Sequence, residues 1–284
     1  MRASRCCIPL LLSLSYGPSP AGALQVPVPA GLAASALAHP SFTWIRRNVP
    51  GFRVYFLADS YPAAHQDSLL ALLPSAVAHS RALIGSPPLK APFDLFFIES
   101  RAQMTVLIGG RATGFAQPST RTVFLVTNPQ WRAFERHEIM HVVAQQAWGP
   151  PARGTDWLQE GLAQAADGRC AGHSNADVVL SLTARHGWIP LDSMLTRFRA
   201  QPDLRAYLQA AAFVDYLLGR YGPAPLAELW RSGVRPESRI HGISLAAHER
   251  RWRQQLRLGT AVSSTTLAAV EAEGCGTSAR SRAA

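Results

Sequence analysis

The chain predicts an α+β fold in two lobes: a small N-terminal mixed sheet with helices, then a mainly helical C-terminal lobe, with a functional site at the seam. Three observations lead there. Short apolar runs of strand type stop by residue 126, whereas from residue 129 onward apolar residues recur at helical spacings of three and four. Of 284 residues, 48% are hydrophobic and only 16% charged, which argues against disorder and allows one well-buried domain or two small lobes. A seam between lobes is also where ligand sites commonly form.

The elements follow in order. Residues 1–23 read as a secretory signal peptide, with Arg2 and Arg5, an apolar stretch from Cys6 to Leu14 and an Ala21-Gly22-Ala23 cleavage site. Residues 24–41 are rich in Ala and Pro and read as an extended linker. Arg53 to Leu57 is a strand-like run, and Ala63 to Ile84 has helical spacing that ends at Gly85, with Pro87-Pro88 beyond. Phe93 to Ile98 forms a second strand, Arg101 to Ile108 a helix stopped by Gly109-Gly110, and residues 121–126 an edge strand. Asn128-Pro129 reads as an N-cap followed by proline at the first helical position, and Gly149-Pro150-Pro151 as a stop, enclosing about twenty helical residues. Further helices run to about residue 258, and 259–284 reads as a flexible tail, too small and polar to pack except through Cys275. No internal repeat is evident, and no segment approaches the roughly 20 apolar residues of a membrane span.

The first of the later helices carries His137-Glu138-Ile139-Met140-His141, and Glu160 follows after eighteen intervening residues, inside Trp157-Leu158-Gln159-Glu160-Gly161-Leu162-Ala163. Residues four apart share a helix face, so His137 and His141 can converge on one ion, with Glu160 as third ligand and a fourth position open. Such an open His₂Glu set is the arrangement of catalytic rather than structural zinc. Glu138, one position on, is turned off that line and suits a general base acting on zinc-activated water. Phe134, His137, His141, Ala144 and Trp148 form one stripe, which aims the histidines at a core.

These residues resemble the gluzincin metallopeptidases, in particular the peptidase MA-like domains related to the aminopeptidase catalytic module. The resemblance extends over roughly residues 43–257, within a domain read as 42–258. Gly114-Phe115-Ala116 and Thr122 to Val126 stand where that family places the strand edging its cleft, and the runs Tyr207 to Gly222 and Gly242 to Leu256 are similar to its later helices. It implies a zincin-like, thermolysin-like fold, one Zn2+ per chain, and hydrolysis of peptide bonds in an extended substrate lying along Thr122 to Val126. It also implies an oxyanion-stabilising tyrosine or histidine beyond the glutamate ligand. Tyr207 is the candidate, with Tyr216 and Tyr221 behind it, although Ala211, Val214 and Leu218 share the Tyr207 face and equally suit a packed tyrosine. The chain departs from the family at Gln164, where many members carry an acidic residue that supports the first histidine.

Removing a signal peptide leaves Cys170 and Cys275 in a compartment where disulfides persist, and one bridge between them is the simple expectation. The Cys170-x-x-His173 spacing and Glu273-Gly274-Cys275 are too bare to mark a second site. With 28 basic and 18 acidic residues the formal charge is +10, or +8 once Arg2 and Arg5 are removed. That surplus favours peripheral contact with anionic envelope surfaces, yet no nucleic-acid recognition motif accompanies it. Arg250, Arg251, Arg253 and Arg257 phase as the solvated side of an amphipathic helix. The expected partner is a peptide or protein substrate outside the cytoplasm. Two alternatives stay open: a catalytically silent, zinc-stabilised extracytoplasmic binding module, and a basic envelope-binding protein in which the motif is accidental.

Overall fold

The computed structural model describes residues 31–275 apart from Pro236. Its first part contains α1 (Leu32–Ala38), β1 (Trp44–Val49), β2 (Phe52–Leu57), α2 (Tyr61–Ala64), α3 (Gln66–Ile84), β3 (Phe93–Ile98), α4 (Arg101–Ile108), β4 (Gly114–Gln117) and β5 (Thr122–Val126). The second contains α5 (Glu135–Trp148), α6 (Asp156–Asp167), a hairpin β6 (Arg169–Cys170) and β7 (His173–Ser174), α7 (Asn175–His186), α8 (Leu191–Thr196), α9 (Asp203–Tyr221), α10 (Pro223–Ser232), a hairpin β8 (Arg239–Ile240) and β9 (Ile243–Ser244), α11 (Leu245–Leu256) and α12 (Ser264–Glu273). A mixed α+β chain results, as expected. The signal-peptide reading, residues 24–30 of the linker and residues 276–284 of the tail lie outside the described residues.

The five-stranded sheet has the order β1-β2-β3-β5-β4. β2, β3 and β5 are parallel, and β1 and β4 are added antiparallel at the two edges. Strand side chains alternate between faces, so each strand feeds two cores. Leu95 and Phe97 of β3, with Val123 and Leu125 of β5, pack beneath α3 and α5. Phe96, Ile98, Phe124 and Val126 point the other way, against Tyr55, Met104 and Ala36. Every residue of β3 is buried, the mark of a strand covered on both faces. Tyr55, Phe96 and Phe124 stack across three strands with centroids 4.6 and 4.7 Å apart. The one acidic residue of β3, Asp94, lies opposite Arg53 in register and accepts two N–H bonds of 2.6 Å from it.

This second core corrects the linker reading. Leu32–Ala38 is helical because Ala36 is buried in it, and the Ala36 carbonyl accepts the Trp44 indole N–H at 2.9 Å. Local composition cannot show that partner. The tail reading is also corrected: Ser263 caps α12, Leu267 and Val270 bury into the main core, and Glu271 pairs with Arg185 and His186 of α7. Cys275 forms the expected bridge to Cys170, which occupies the sulfur of the Cys-x-x-His spacing.

The long helix starts later than expected. Asn128 caps a turn instead, its Oδ1 accepting from Gln130 N and Trp131 N and its Nδ2 donating to the Glu99 carbonyl. α5 therefore begins at Glu135 and has 14 residues, ending at Gly149. The edge assignment moves as well: β5 is interior, and β4 is the edge strand beside it among the described residues. In the helical part, α6 lies close against α9. A Cβ on Gly161 would sit 3.0 Å from the Ala210 backbone and from Val214, so this glycine sets the approach. α11 presents Arg250, Arg251 and Arg257 outward while Trp252 and Leu256 are buried, and Arg253 pairs with Glu249 and lies over the Trp188 ring.

One regularity escaped the sequence reading. Arg169-Cys170-Ala171-Gly172-His173-Ser174 and Arg239-Ile240-His241-Gly242-Ile243-Ser244 share Arg, Gly and Ser at the same offsets. Each forms a two-residue hairpin with positive φ at both turn positions, Ala171 and Gly172 in one, His241 and Gly242 in the other. In each the arginine Nη1 donates to the turn glycine carbonyl, and the serine caps a twelve-residue helix. The repeat consists of three residues and a backbone shape, too sparse for hydrophobic periodicity to reveal.

Candidate metal centre

α5 and α6 bring the three expected ligands together. His137 Nε2 and His141 Nε2 are 3.3 Å apart, and Glu160 Oε2 lies 3.4 Å from the first and 3.5 Å from the second. A tetrahedral ion with bonds of about 2.0–2.1 Å needs donor atoms about 3.3–3.4 Å apart. The three atoms thus already stand at the corners of such a site, and this largely buried group can hold a metal ion. Gly161 follows Glu160 directly, so the seating of α6 on α9 also fixes where the carboxylate stands.

Glu160 presents its two oxygens to different partners. Oε2 faces the histidines, while Oε1 accepts from Arg199 Nη2 at 2.8 Å. Arg199 belongs to a 3₁₀ turn at Phe198–Ala200, and its Nη1 donates to the Tyr207 hydroxyl at 2.9 Å. Its Nε lies 3.3 Å from Asp156. Tyr207, on α9, is thereby placed at the site, with its ring nearly parallel to that of His137 at 6.4 Å. Tyr216 and Tyr221 are not brought there: Tyr216 packs beside Phe213, and Tyr221 bonds to His248 Nδ1. Sequence reasoning missed Arg199, since no local pattern marks an exposed arginine in a short turn as the partner of a carboxylate 39 residues away.

Glu138 is buried and lines the same cavity as the three ligand residues. Its side chain rests against Gly114 at the start of β4, where an added Cβ would come within 2.3 Å of Oε1. Burial raises the Glu138 carboxyl to about 8, with the Glu160 charge adding to the rise and His141 opposing it. Burial opposes ionisation of Glu160 too, but the charges and hydrogen bonds of His141 and His137 outweigh it and hold Glu160 well below the ordinary carboxylate value. The Tyr207 hydroxyl is raised, first by burial and then by the Glu160 charge, so it stays protonated and able to donate.

Gln164 lines the cavity, and its Nε2 has no hydrogen-bond partner. Among the described residues no hydrogen bond joins it to either imidazole. A different contact ties the two ligand-bearing helices: Arg132, just before α5, grips both carboxylate oxygens of Asp167 at the end of α6, with Nη1 to Oδ1 at 3.0 Å. Such a fork fixes orientation as well as distance.

The cavity has a volume of about 680 Å³. One wall is the β4 edge with Arg101 and Arg111 at its end, and the other is built from α6, α9 and the Arg199 turn, with Cys275 at its margin. Among the described residues, no helix is long and apolar enough to cross a membrane. Compared with known families and curated proteins, the chain matches no family model and no curated sequence.

Proposed function

We propose that the protein is an extracytoplasmic zinc metallopeptidase of the gluzincin type, with a thermolysin-like arrangement of a mixed-sheet lobe and a helical lobe about the cleft. The observation that carries this reading is the tetrahedral spacing of His137, His141 and Glu160, with a buried carboxylate, Glu138, on the same cavity. Bound there, zinc supplies Lewis-acid chemistry, acidifying water to a pKa of about 7 and polarising a carbonyl.

The chain's own residues account for the remaining work. Glu138 accepts a proton from the attacking water and returns it to the departing amine, a task suited by its place on the cavity beside His137, His141 and Glu160. Tyr207 and Arg199 offer O–H and N–H donors to the negative charge that develops on the carbonyl oxygen. The free edge of β4 can pair with an extended peptide and exclude water from one side of it. Arg199 also holds the ligand oxygen that faces away from the histidines, which keeps Glu160 oriented. The Cys170–Cys275 bridge supports a location outside the cytoplasm.

Zinc-loaded protein incubated with an unbiased peptide library, with products read by mass spectrometry, tests the reading. Cleavage that requires stoichiometric zinc is expected. Full zinc occupancy with no cleaved peptide would favour a silent binding module instead.

A further inference from the structure

The cavity wall beyond Gly114 carries positive charge that neither the metal group nor the acid–base pair uses. Arg101 opens α4, just past the end of β3, and Arg111 stands three residues before β4. Because β4 runs antiparallel to β5, and β5 parallel to β3, both arginines lie at the end of the sheet where β4 begins. Both line the cavity and both are exposed. Among the described residues neither guanidinium has a hydrogen bond or an ion pair; the Arg101 carbonyl accepts from the Thr105 hydroxyl within α4. The Arg101 guanidinium is held 4.7 Å over the Trp131 ring, which steadies it while leaving its N–H groups free. Arg199, by contrast, already bonds to Glu160, Tyr207 and Asp156, leaving one N–H on each Nη.

The direction of the substrate follows from the same edge. An extended chain added to β4 pairs more stably antiparallel than parallel, so it runs from Gln117 toward Gly114. The departing amine must lie within reach of Glu138, and the Glu138 carboxylate rests on Gly114. The segment after the scissile bond therefore continues past Gly114 toward Arg111 and Arg101.

We propose that these arginines form a carboxylate-recognising subsite for the leaving segment, so that the enzyme prefers peptides with a carboxylate shortly after the cleaved bond. That inference rests on the peptidase reading. The carboxylate is either an acidic side chain or the C-terminus of the peptide, and arginine's planar fork suits both.

The test uses zinc-loaded protein and one extended peptide, taken from the library's cleavage products or, where nothing is cleaved, of fixed neutral sequence, in four forms: Glu or Gln at one position toward its C-terminal end, two residues after the scissile bond where there is one, each with a free or an amidated C-terminus. The Glu form, the free-acid form or both should exceed the neutral amide in kcat/KM by about 10-fold, as a charge-assisted contact implies. Which form gains identifies the source. In Arg101→Glu/Arg111→Glu the preference should disappear or invert toward a Lys-containing peptide, with zinc content unchanged. Equal rates for all four forms, or an unchanged preference in the double variant, would overturn the subsite. A second arm measures binding of the same labelled peptides to zinc-loaded Glu138→Gln protein by fluorescence anisotropy, which needs no turnover. Charge-selective binding without cleavage by the wild type would keep the subsite and refute the peptidase reading. Cleavage without charge selectivity would do the reverse, and neither binding nor cleavage refutes both.

Discussion

The two walls of the cleft are put together by different means. On the sheet side, position is set by backbone: strand register brings Gly114 opposite Leu125, and the missing side chain of that glycine makes the space in which the Glu138 carboxylate lies. On the helical side a glycine also sets one approach, Gly161 seating α6 on α9, but the carboxylates are placed by side chains from distant parts of the chain, with Arg199 reaching Glu160 and Arg132 gripping Asp167. The contrast assigns separate duties. The helical wall should govern whether metal is held, and the sheet wall how the base and the substrate meet it.

The largest effect that could break this division is loss of the third ligand. Glu160→Ala leaves two imidazoles on one helix and an Arg199 without its carboxylate, so zinc content after dialysis should fall close to zero and turnover with it. The loss of affinity should exceed the roughly 10–100-fold cost of removing an outer hydrogen-bond partner. Metal analysis by mass spectrometry reads this directly, and one zinc per chain in the variant would remove Glu160 from the site.

Glu138→Gln sits between the walls and separates holding metal from using it. The amide keeps the volume beside Gly114 but cannot take up the proton, so turnover should drop by about 10²–10⁴ at unchanged zinc content. Wild-type rates in this variant would end its assignment as the base.

The sheet wall is tested by Gly114→Ala. Its new Cβ would collide with Glu138 Oε1, Cδ and Cγ, so the carboxylate must shift. A displacement near 1 Å costs about 10²-fold in rate, while the ligands on α5 and α6 are untouched. The expected signature is full zinc, an unaltered melting profile and slowed turnover. If the variant loses metal as well, the two walls are not separable in the way proposed.

Legibility followed the same division. β3 and α4 were readable to the residue, because an apolar run and the Gly109-Gly110 stop are local signals. The His137, His141 and Glu160 set was legible because helical spacing and ligand chemistry constrain each other. Asn128-Pro129 misled because asparagine closes turns by the same hydrogen bonds with which it caps helices. α1 and α12 were read as unstructured because short Ala-rich segments gain order from what they pack against, Trp44 and β-strand residues for one, α7 and the bridge at Cys275 for the other. Arg199 left no trace in periodicity, since it acts through a contact that exists only in the folded chain.

The smallest expected effect concerns Tyr207, where the sequence could not choose between a packed ring and a donor. The structure has the hydroxyl in the cavity, accepting an N–H from Arg199, and the ring lies against Phe198 as well as near His137. Packing and chemistry are therefore both available to one side chain. If the hydroxyl were the lone donor to the developing oxyanion, Tyr207→Phe would cost about 10²–10³ in turnover. Arg199 lines the same cavity and remains in that variant, so the loss should be nearer 10-fold. Arg199→Gln alone should slow turnover and also loosen zinc, because it frees Glu160 Oε1. The double variant then discriminates. Two donors serving one oxyanion predict a combined loss larger than the product of the single losses, because each single variant leaves the other donor in place. A ring that only packs predicts wild-type turnover in Tyr207→Phe, a lowered melting temperature in Tyr207→Ala, and no coupling to Arg199 in kcat, which would return the donor role to Arg199 alone.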